Sequence, residues 1–407
     1  MARPGLPGLA ALADPAVIAD PYPQLAKLRE ASPFAALDGA MIVFGRYQDC
    51  SAVLRDPRAS SQRGRSLLSE PAAERTRSFL SLDPPDHTRL RRLVASAFTA
   101  RVVARLERRI SQIADELLTA ACDGHQLELV GQLAYPLPVR IISELLGVPP
   151  ADHARFAGWS ASLVHSLEPR FGADVPAAEL ARIERAALEF AGYFGELIAL
   201  RRARPADDLL TRLIEAEEDG SRLATDELIA TCVLLLVAGH ETTAGLISNA
   251  VLALMRHRDQ LAALRADPEL AGGAVQETLR FDPPVQITGR IARHGMTVGK
   301  LRPPDGAVLL LLLAATGRDR SVFADPDRFD IRRLGRDHLA FAAGPHFCLG
   351  APLARLEAKV ALKALAARIV APQLDEAALA YKPNINLRGP ERLVLHFDRI
   401  GPAQADG

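Results

Sequence analysis

Phe341-Ala342-Ala343-Gly344-Pro345-His346-Phe347-Cys348-Leu349-Gly350 is the stretch whose reading decides the fold. It sets one cysteine between two glycines, just ahead of a helical pattern. From Leu353 the apolar residues recur at Leu356, Val360, Leu362, Leu365 and Ile369, which is helical spacing. Cys348 therefore falls near a helix N-terminus, where unpaired N–H groups and the helix dipole favour an anion. Such a setting lowers a thiol's pKa and favours the thiolate, the metal-binding form. Gly344 and Gly350 allow unusual backbone angles and close passage beside a flat, bulky group. Most free cysteines are small buried hydrophobes; the glycines, Phe341 and His346 around this one argue for more.

The stretch resembles the ligand loop of the cytochrome P-450 family, the haem-thiolate monooxygenases. The family pattern F-x-x-G-x-x-x-C-x-G is met at every fixed position by Phe341, Gly344, Cys348 and Gly350. The resemblance implies that Cys348 is the axial ligand of a haem b iron. Ala342 departs from the glycine common in the family, which bears on the loop's angles and leaves the ligand untouched.

Upstream, Thr225–Arg256 is the longest helical pattern. About 30 residues at 1.5 Å each give roughly 45 Å, close to a domain diameter. Thr225 with Glu227 suits its N-terminal cap. In its middle stands Ala238-Gly239-His240-Glu241-Thr242-Thr243. A mid-helix glycine costs about 1 kcal/mol and paired threonines are poor helix formers, a local conflict that tends to mark function. A threonine hydroxyl can take over a backbone carbonyl and open the helix, leaving a groove for O2 and water. Glu241 beside Thr242 supplies an acid and an alcohol for proton relay. The stretch is similar to the family's A-G-x-[DE]-T motif, with Ala238 and Gly239 beside the haem. His240-Glu241 also begins a zinc-protease H-E-x-x-H signature, but its second histidine position is Ala244, so the zinc reading fails.

Glu277-Thr278-Leu279-Arg280 is an E-x-x-R, with opposite charges three apart on one helix face. The resemblance implies a structural lock of Glu277 and Arg280 with a later arginine; Arg333 is the choice, with Arg332 and Arg328 as alternatives. Pro84-Pro85 followed by an acid opens a helix on which His87 and Arg91 share a face. A thiolate-ligated ferric porphyrin leaves its propionates as uncompensated anions that need buried partners. By resemblance these are His87, Arg91, Arg290 and His346. The same resemblance implies substrate contacts from the polar loop Arg58–Ser81, from a lid interrupted by Ser166–Pro176, from Val233, Leu236, Val237 and Ala238, and from Val285, Gln286, Ile287, Thr288 and Ile385. Most are apolar, which suits a lipophilic substrate.

The 407 residues balance 49 Lys+Arg against 49 Asp+Glu, so no global field favours nucleic acid or an anionic membrane. Cys50, Cys122, Cys232 and Cys348 are dispersed, arguing against a disulfide scaffold or zinc ribbon and for a reducing cytoplasm. Residues 1–23 do not read as a signal peptide. The apolar runs Leu228–Ala238 and Val308–Ala315 are each too short to span a bilayer. The expected architecture is mainly α with small β-sheets (α+β). Residues 1–22 read as a loose lead-in, 23–398 as one domain with haem between the long helix and the helix after Cys348, and 399–407 as a tail.

Helices are expected over Pro23–Ala31, Tyr47–Leu54, Val102–Cys122, Pro138–Leu146, Ala151–Val164, Ala177–Ala203, Pro205–Glu218, Asp259–Arg265, Gly273–Phe281 and Leu353–Ile369. Phe34–Leu37 and Met41–Phe44 form a hairpin around Asp38-Gly39. Val285–Ile291, Val308–Leu313, Asn384–Arg388 and Leu393–Phe397 read as strands. The implied function is insertion of one oxygen atom from O2 into a lipophilic molecule by a monomer. Electrons come from NAD(P)H through a separate ferredoxin and ferredoxin reductase, docked at Arg92, Arg101, Arg105, Arg109 and Arg355. A peroxide-driven peroxygenase and a haem gas or redox sensor are the alternatives. Glu241-Thr242 argues against the first, and the lack of a helix-turn-helix or basic tail against the second.

Overall fold

The computed structural model describes residues 7–62, 78–121, 124–164, 176–218, 220–335 and 337–402. Cys122, most of the Arg58–Ser81 loop and the Ser166–Pro176 lid break lie outside the described residues. Helices of seven residues or more are α1 (Tyr22–Ala31), α2 (Tyr47–Arg55), α3 (Asp86–Ala97), α4 (Glu107–Ala120), α5 (Pro136–Leu145), α6 (His153–Val164), α7 (Ala177–Ala203), α8 (Leu209–Glu215), α9 (Thr225–Arg256), α10 (Arg258–Ala266), α11 (Ala271–Phe281) and α12 (Ala351–Arg368). The strands that frame the site are β1 (Phe34–Ala36), β2 (Met41–Phe44), β3 (Ala59–Ser60), β4 (Thr288–Ala292) and β5 (Val308–Leu311).

Helix α9 is the axis. Glu227 in its first turn accepts the Ala224 N–H at 2.9 Å, so the cap sits one residue before the expected Thr225. Asp226 and Glu227 at its start and Arg256 at its end complement the helix dipole. From Thr243 to Met255 nearly every side chain is buried, the pattern of a helix enclosed by others. It packs on α5, α6, α7, α11 and α12. By length and composition α9 as a whole is apolar enough to cross a membrane; here its neighbours cover it.

The five strands form one sheet in the order β1-β2-β5-β4-β3. The expected hairpin is present, with Phe34 opposite Val43. Strand β2 runs parallel to β5, and β4 antiparallel to β5 with Arg290 opposite Leu309. The alternating faces of this sheet feed two smaller cores beside the large helical one.

Four expectations change. Val102–Cys122 breaks into Ala100–Ala104 and α4, because a tight Leu106 N–H to Val103 carbonyl bond of 3.0 Å turns the chain while the apolar period runs on. Pro205–Glu218 reduces to α8 followed by a hairpin of Glu217–Glu218 with Ser221–Arg222. Asn384–Arg388 is not a strand: Asn384 Oδ1 accepts the N–H groups of Asn386 and Leu387, both at 2.8 Å, a local bond that competes with a ladder. The lead-in is docked. Asp14 caps Pro15–Ala19 through the Ala16 N–H at 2.9 Å, Leu9 and Leu12 are buried, and Arg388 donates to the carbonyls of Ile18 and Ala19.

Candidate active site

The cysteine loop is held from several sides. Phe341 O accepts the Cys348 N–H at 2.9 Å. Arg91, on α3, donates to Phe347 O at 2.5 Å, and the Arg355 guanidinium lies 4.5 Å above the Phe341 ring. Gly344 has φ +68°, and a Cβ there would sit 2.4 Å from Leu54 O, so only glycine fits between this loop and α2. Ala342 also takes a left-handed φ, +57°, which costs an L-residue about 1–2 kcal/mol. The loop takes a left-handed angle here without a glycine. Burial pushes the Cys348 thiol up, opposed by the Gly350 and Ala351 N–H groups and by Arg91 and Arg355. The helix-terminus argument therefore loses to desolvation in the protein by itself.

The E-x-x-R pair is a forked contact. Arg280 Nη2 and Nε donate to Glu277 at 2.7 and 2.9 Å, with both side chains at most 2% exposed. Arg280 also reaches the carbonyls of Gly317, Pro326 and Arg328. Arg333 joins through Nε at 3.1 Å to Glu277 and donates to the carbonyls of Ala324, Asp325 and Arg328. Arg328 contributes its carbonyl here, and Arg332 is exposed.

On α9, Thr242 Oγ1 donates to Ala238 O at 2.9 Å and Thr243 Oγ1 to Gly239 O at 2.8 Å. The hydroxyls take the carbonyls as expected, yet the helix continues through them. Glu241 is ion-paired with Lys382. His240 is buried, its Nδ1–H donates to Leu236 O at 2.6 Å, and its ring lies edge-on to Tyr135 at 5.2 Å.

His87 is 2% exposed, and neither ring nitrogen has a partner among the described residues. Its ring is 4.1 Å from that of His346, whose Nε2 is 3.0 Å from Ser61 Oγ. Burial and the cations around it, Arg290 first, drive the His346 pKa down to about 3; burial and Arg91 lower that of His87. Arg290 is itself buried and donates to Gly289 O at 2.8 Å.

A family model described as cytochrome P450 matches residues 180–271 and 269–368. The cytochrome P450 monooxygenase PikC of Streptomyces venezuelae is 42% identical over 94% of this chain and 92% of its own length. A vitamin D(3) 25-hydroxylase of Pseudonocardia autotrophica is 40% identical over 95% of this chain and 95% of its own length. The crystal structure of ligand-free CYP164A2 of Mycobacterium smegmatis superposes with a TM-score of 0.89 at 45% identity, covering 96% of this chain and 99% of the other. This chain belongs to the cytochrome P450 family. It is a P450 monooxygenase, an oxidoreductase whose cofactor is haem b.

The residues present fit that cofactor. Buried His87, with both ring nitrogens unsatisfied among the described residues, stands beside half-buried His346 and buried Arg290, and the two carboxylates of haem would supply acceptors there. A sulfur with two N–H donors and two guanidinium groups near it suits a thiolate. Arg91 does not turn to the imidazole cluster with its donor; it engages the loop carbonyl at Phe347.

The expected substrate contacts divide. Leu236 and Val237 are buried in the helical core of this P450, with Val233 packed beside them. Val285 bridges to Leu387, and Thr288 begins β4 opposite Leu311. Gln286, Ile287 and Ile385 face elsewhere, lining a cavity with Leu12, Ile18 and Leu25. Ile287 is 3% exposed within the core built by the docked N-terminal segment, and Gln286 donates to Pro283 O at 2.6 Å. The folded-back residues 7–19 cover this side of the segment before β4 and pack on its apolar side chains.

On the proposed docking face, Arg101 and Arg105 are exposed. Arg109 is held in a forked contact by Glu144 at 2.9 and 2.7 Å, and Arg355 is turned to Phe341. Sequence reasoning missed Lys382, and it missed Asp83, which accepts bonds from Ser60, Ser61 and Arg293 at 2.5, 2.8 and 2.6 Å. Neither belongs to a motif, and their partners are distant in sequence.

Proposed function

We propose that Cys348 Sγ would ligate the iron of bound haem and that this P450 hydroxylates or epoxidises a lipophilic small molecule. Bound haem supplies the reductive activation of O2, with the balance RH + O2 + 2 e⁻ + 2 H⁺ → ROH + H2O for a hydroxylation. The chain's residues do the rest. His87, His346 and Arg290 hold the propionates, with Arg91 bracing the ligand loop at Phe347 O. Thr242 Oγ1 and the Glu241 carboxylate carry the two protons inward. Glu277, Arg280 and Arg333 keep the segment before the ligand loop in place. Val233, Leu236, Val237 and Val285 exclude water and present an apolar wall, beside Ala238 and Gly239.

Residues 23–398 act as one catalytic unit, covered by the docked segment before it. Electrons arrive in the cytoplasm from NAD(P)H through a separate reductase and ferredoxin, the latter meeting the exposed cations Arg101 and Arg105. The names of the relatives, a monooxygenase and a hydroxylase, support this reading.

The observation that carries it is the Cys348 sulfur, set at the mouth of α12 with the N–H groups of Gly350 and Ala351 and two guanidinium groups opposing its burial. The haem-loaded protein, reduced and exposed to CO, should show the strongly red-shifted Soret band of thiolate ligation. Cys348→Ser should lose that band while still binding haem. A histidine-type band in the unaltered protein would overturn the assignment.

A further inference from the structure

Residues 381–390 run along one face of α9. Lys382 Nζ is hydrogen-bonded and ion-paired to Glu241 Oε1. One turn on, a Cβ at Gly245 would lie 3.0 Å from Arg388 O. A further turn on, Asn249 Nδ2 donates to Arg388 O at 3.3 Å. Positions 241, 245 and 249 are four apart and share a face, so the segment is seated by backbone contact while its lysine reaches the carboxylate. The Glu241 side chain is 10% exposed and that of Lys382 29%. Beside the pair lies a cavity lined by Glu241, Thr242, Ser248, Lys382 and Arg388. Ser248 Oγ is buried with no partner among the described residues, so this wall is polar enough to hold water.

The groups around Glu241 come from three elements. His240 precedes it on α9. Tyr135 comes from the turn before α5, its phenol pushed up to about 12 by burial and then by the Glu241 charge. Lys382 and Arg388 come from the C-terminal segment. Among the described residues, Lys382 is the cation in contact with the carboxylate.

We propose that Lys382 is the positioning residue of Glu241: its ammonium holds the carboxylate in the cavity that opens on Thr242, and so sets how well protons pass to Thr242. This rests on the reading of Glu241 and Thr242 as the proton path.

The test is a crystal structure of the haem-loaded full chain carrying Lys382→Met, with Lys382→Gln as a second neutral variant. In both, the Glu241 carboxylate should swing out of the cavity it shares with Thr242 and Ser248, and product formed per NAD(P)H consumed should fall severalfold. Lys382→Arg should restore both. A carboxylate that keeps its place in both neutral variants overturns the proposal, whatever the activity does. If the carboxylate moves but Glu241→Gln couples as well as the unaltered protein, the proton path fails while the hold of Lys382 on the carboxylate stands.

Discussion

Two carboxylate–cation pairs lie in the same P450, one built to stay and one built to change. Glu277 and Arg280 are at most 2% exposed, forked, joined by Arg333 and surrounded by backbone carbonyls from residues 317–328. Glu241 and Lys382 share a single contact at the edge of a polar cavity. A buried charge with every donor satisfied locks the segments it touches, and removing one partner leaves the other stranded. A pair with one contact and a lysine 29% exposed gives way more readily than that fork. The same chemistry is a scaffold in one place and, on the reading proposed above, part of a proton path in the other.

The largest effect should come from breaking the lock. Glu277→Ala strands two guanidinium groups and should destabilise the fold by about 3–5 kcal/mol, read as a fall in haem incorporation and in Tm. Lys382→Met should cost less, about 1–2 kcal/mol on the same measurements; equal losses would erase the contrast.

Asp83 is an intermediate case. Burial pushes its carboxyl up, but bonds from Ser60, Ser61 and Arg293 bring it below the ordinary value. A depressed folded-state pKa gives stability that is present above about pH 4 and lost as pH falls through the folded value. Asp83→Asn should therefore flatten the acid limb of a Tm-against-pH curve while leaving its shape near neutrality; an unchanged acid limb would remove Asp83 from the set. The smallest effect expected is a gain. Ala342→Gly relieves the left-handed strain at φ +57° but adds freedom to the unfolded chain, for a net stabilisation of a few tenths to about 1 kcal/mol. A loss of Tm would show that the methyl packs usefully against the β2–β5 core.

The short-range features were legible. The cysteine loop, the helix that follows it, the E-x-x-R turn and the full extent of α7 and α9 rest on contacts within a few residues or on one repeated period, which sequence displays directly. Choosing Arg333 over Arg328 and Arg332 was harder, and the geometry that separates them is Arg333 Nε on Glu277. What was not legible depends on distant chain. The strand expected at Asn384–Arg388 shrinks to a single antiparallel bridge of Leu387 with Val285, because the Asn384 side chain takes the N–H groups of Asn386 and Leu387.

Patterns of neighbours alone fix a cysteine loop ahead of a helix, an acid–alcohol pair on a long central helix and a charge lock before the loop. It takes the folded chain to bring Lys382 to Glu241 from 141 residues away, to close residues 7–19 over Gln286, Ile287 and Ile385, and to set His87, with both ring nitrogens unsatisfied among the described residues, 4.1 Å from His346. Long-range burial sets which side chains share a dry space, and no local period records it.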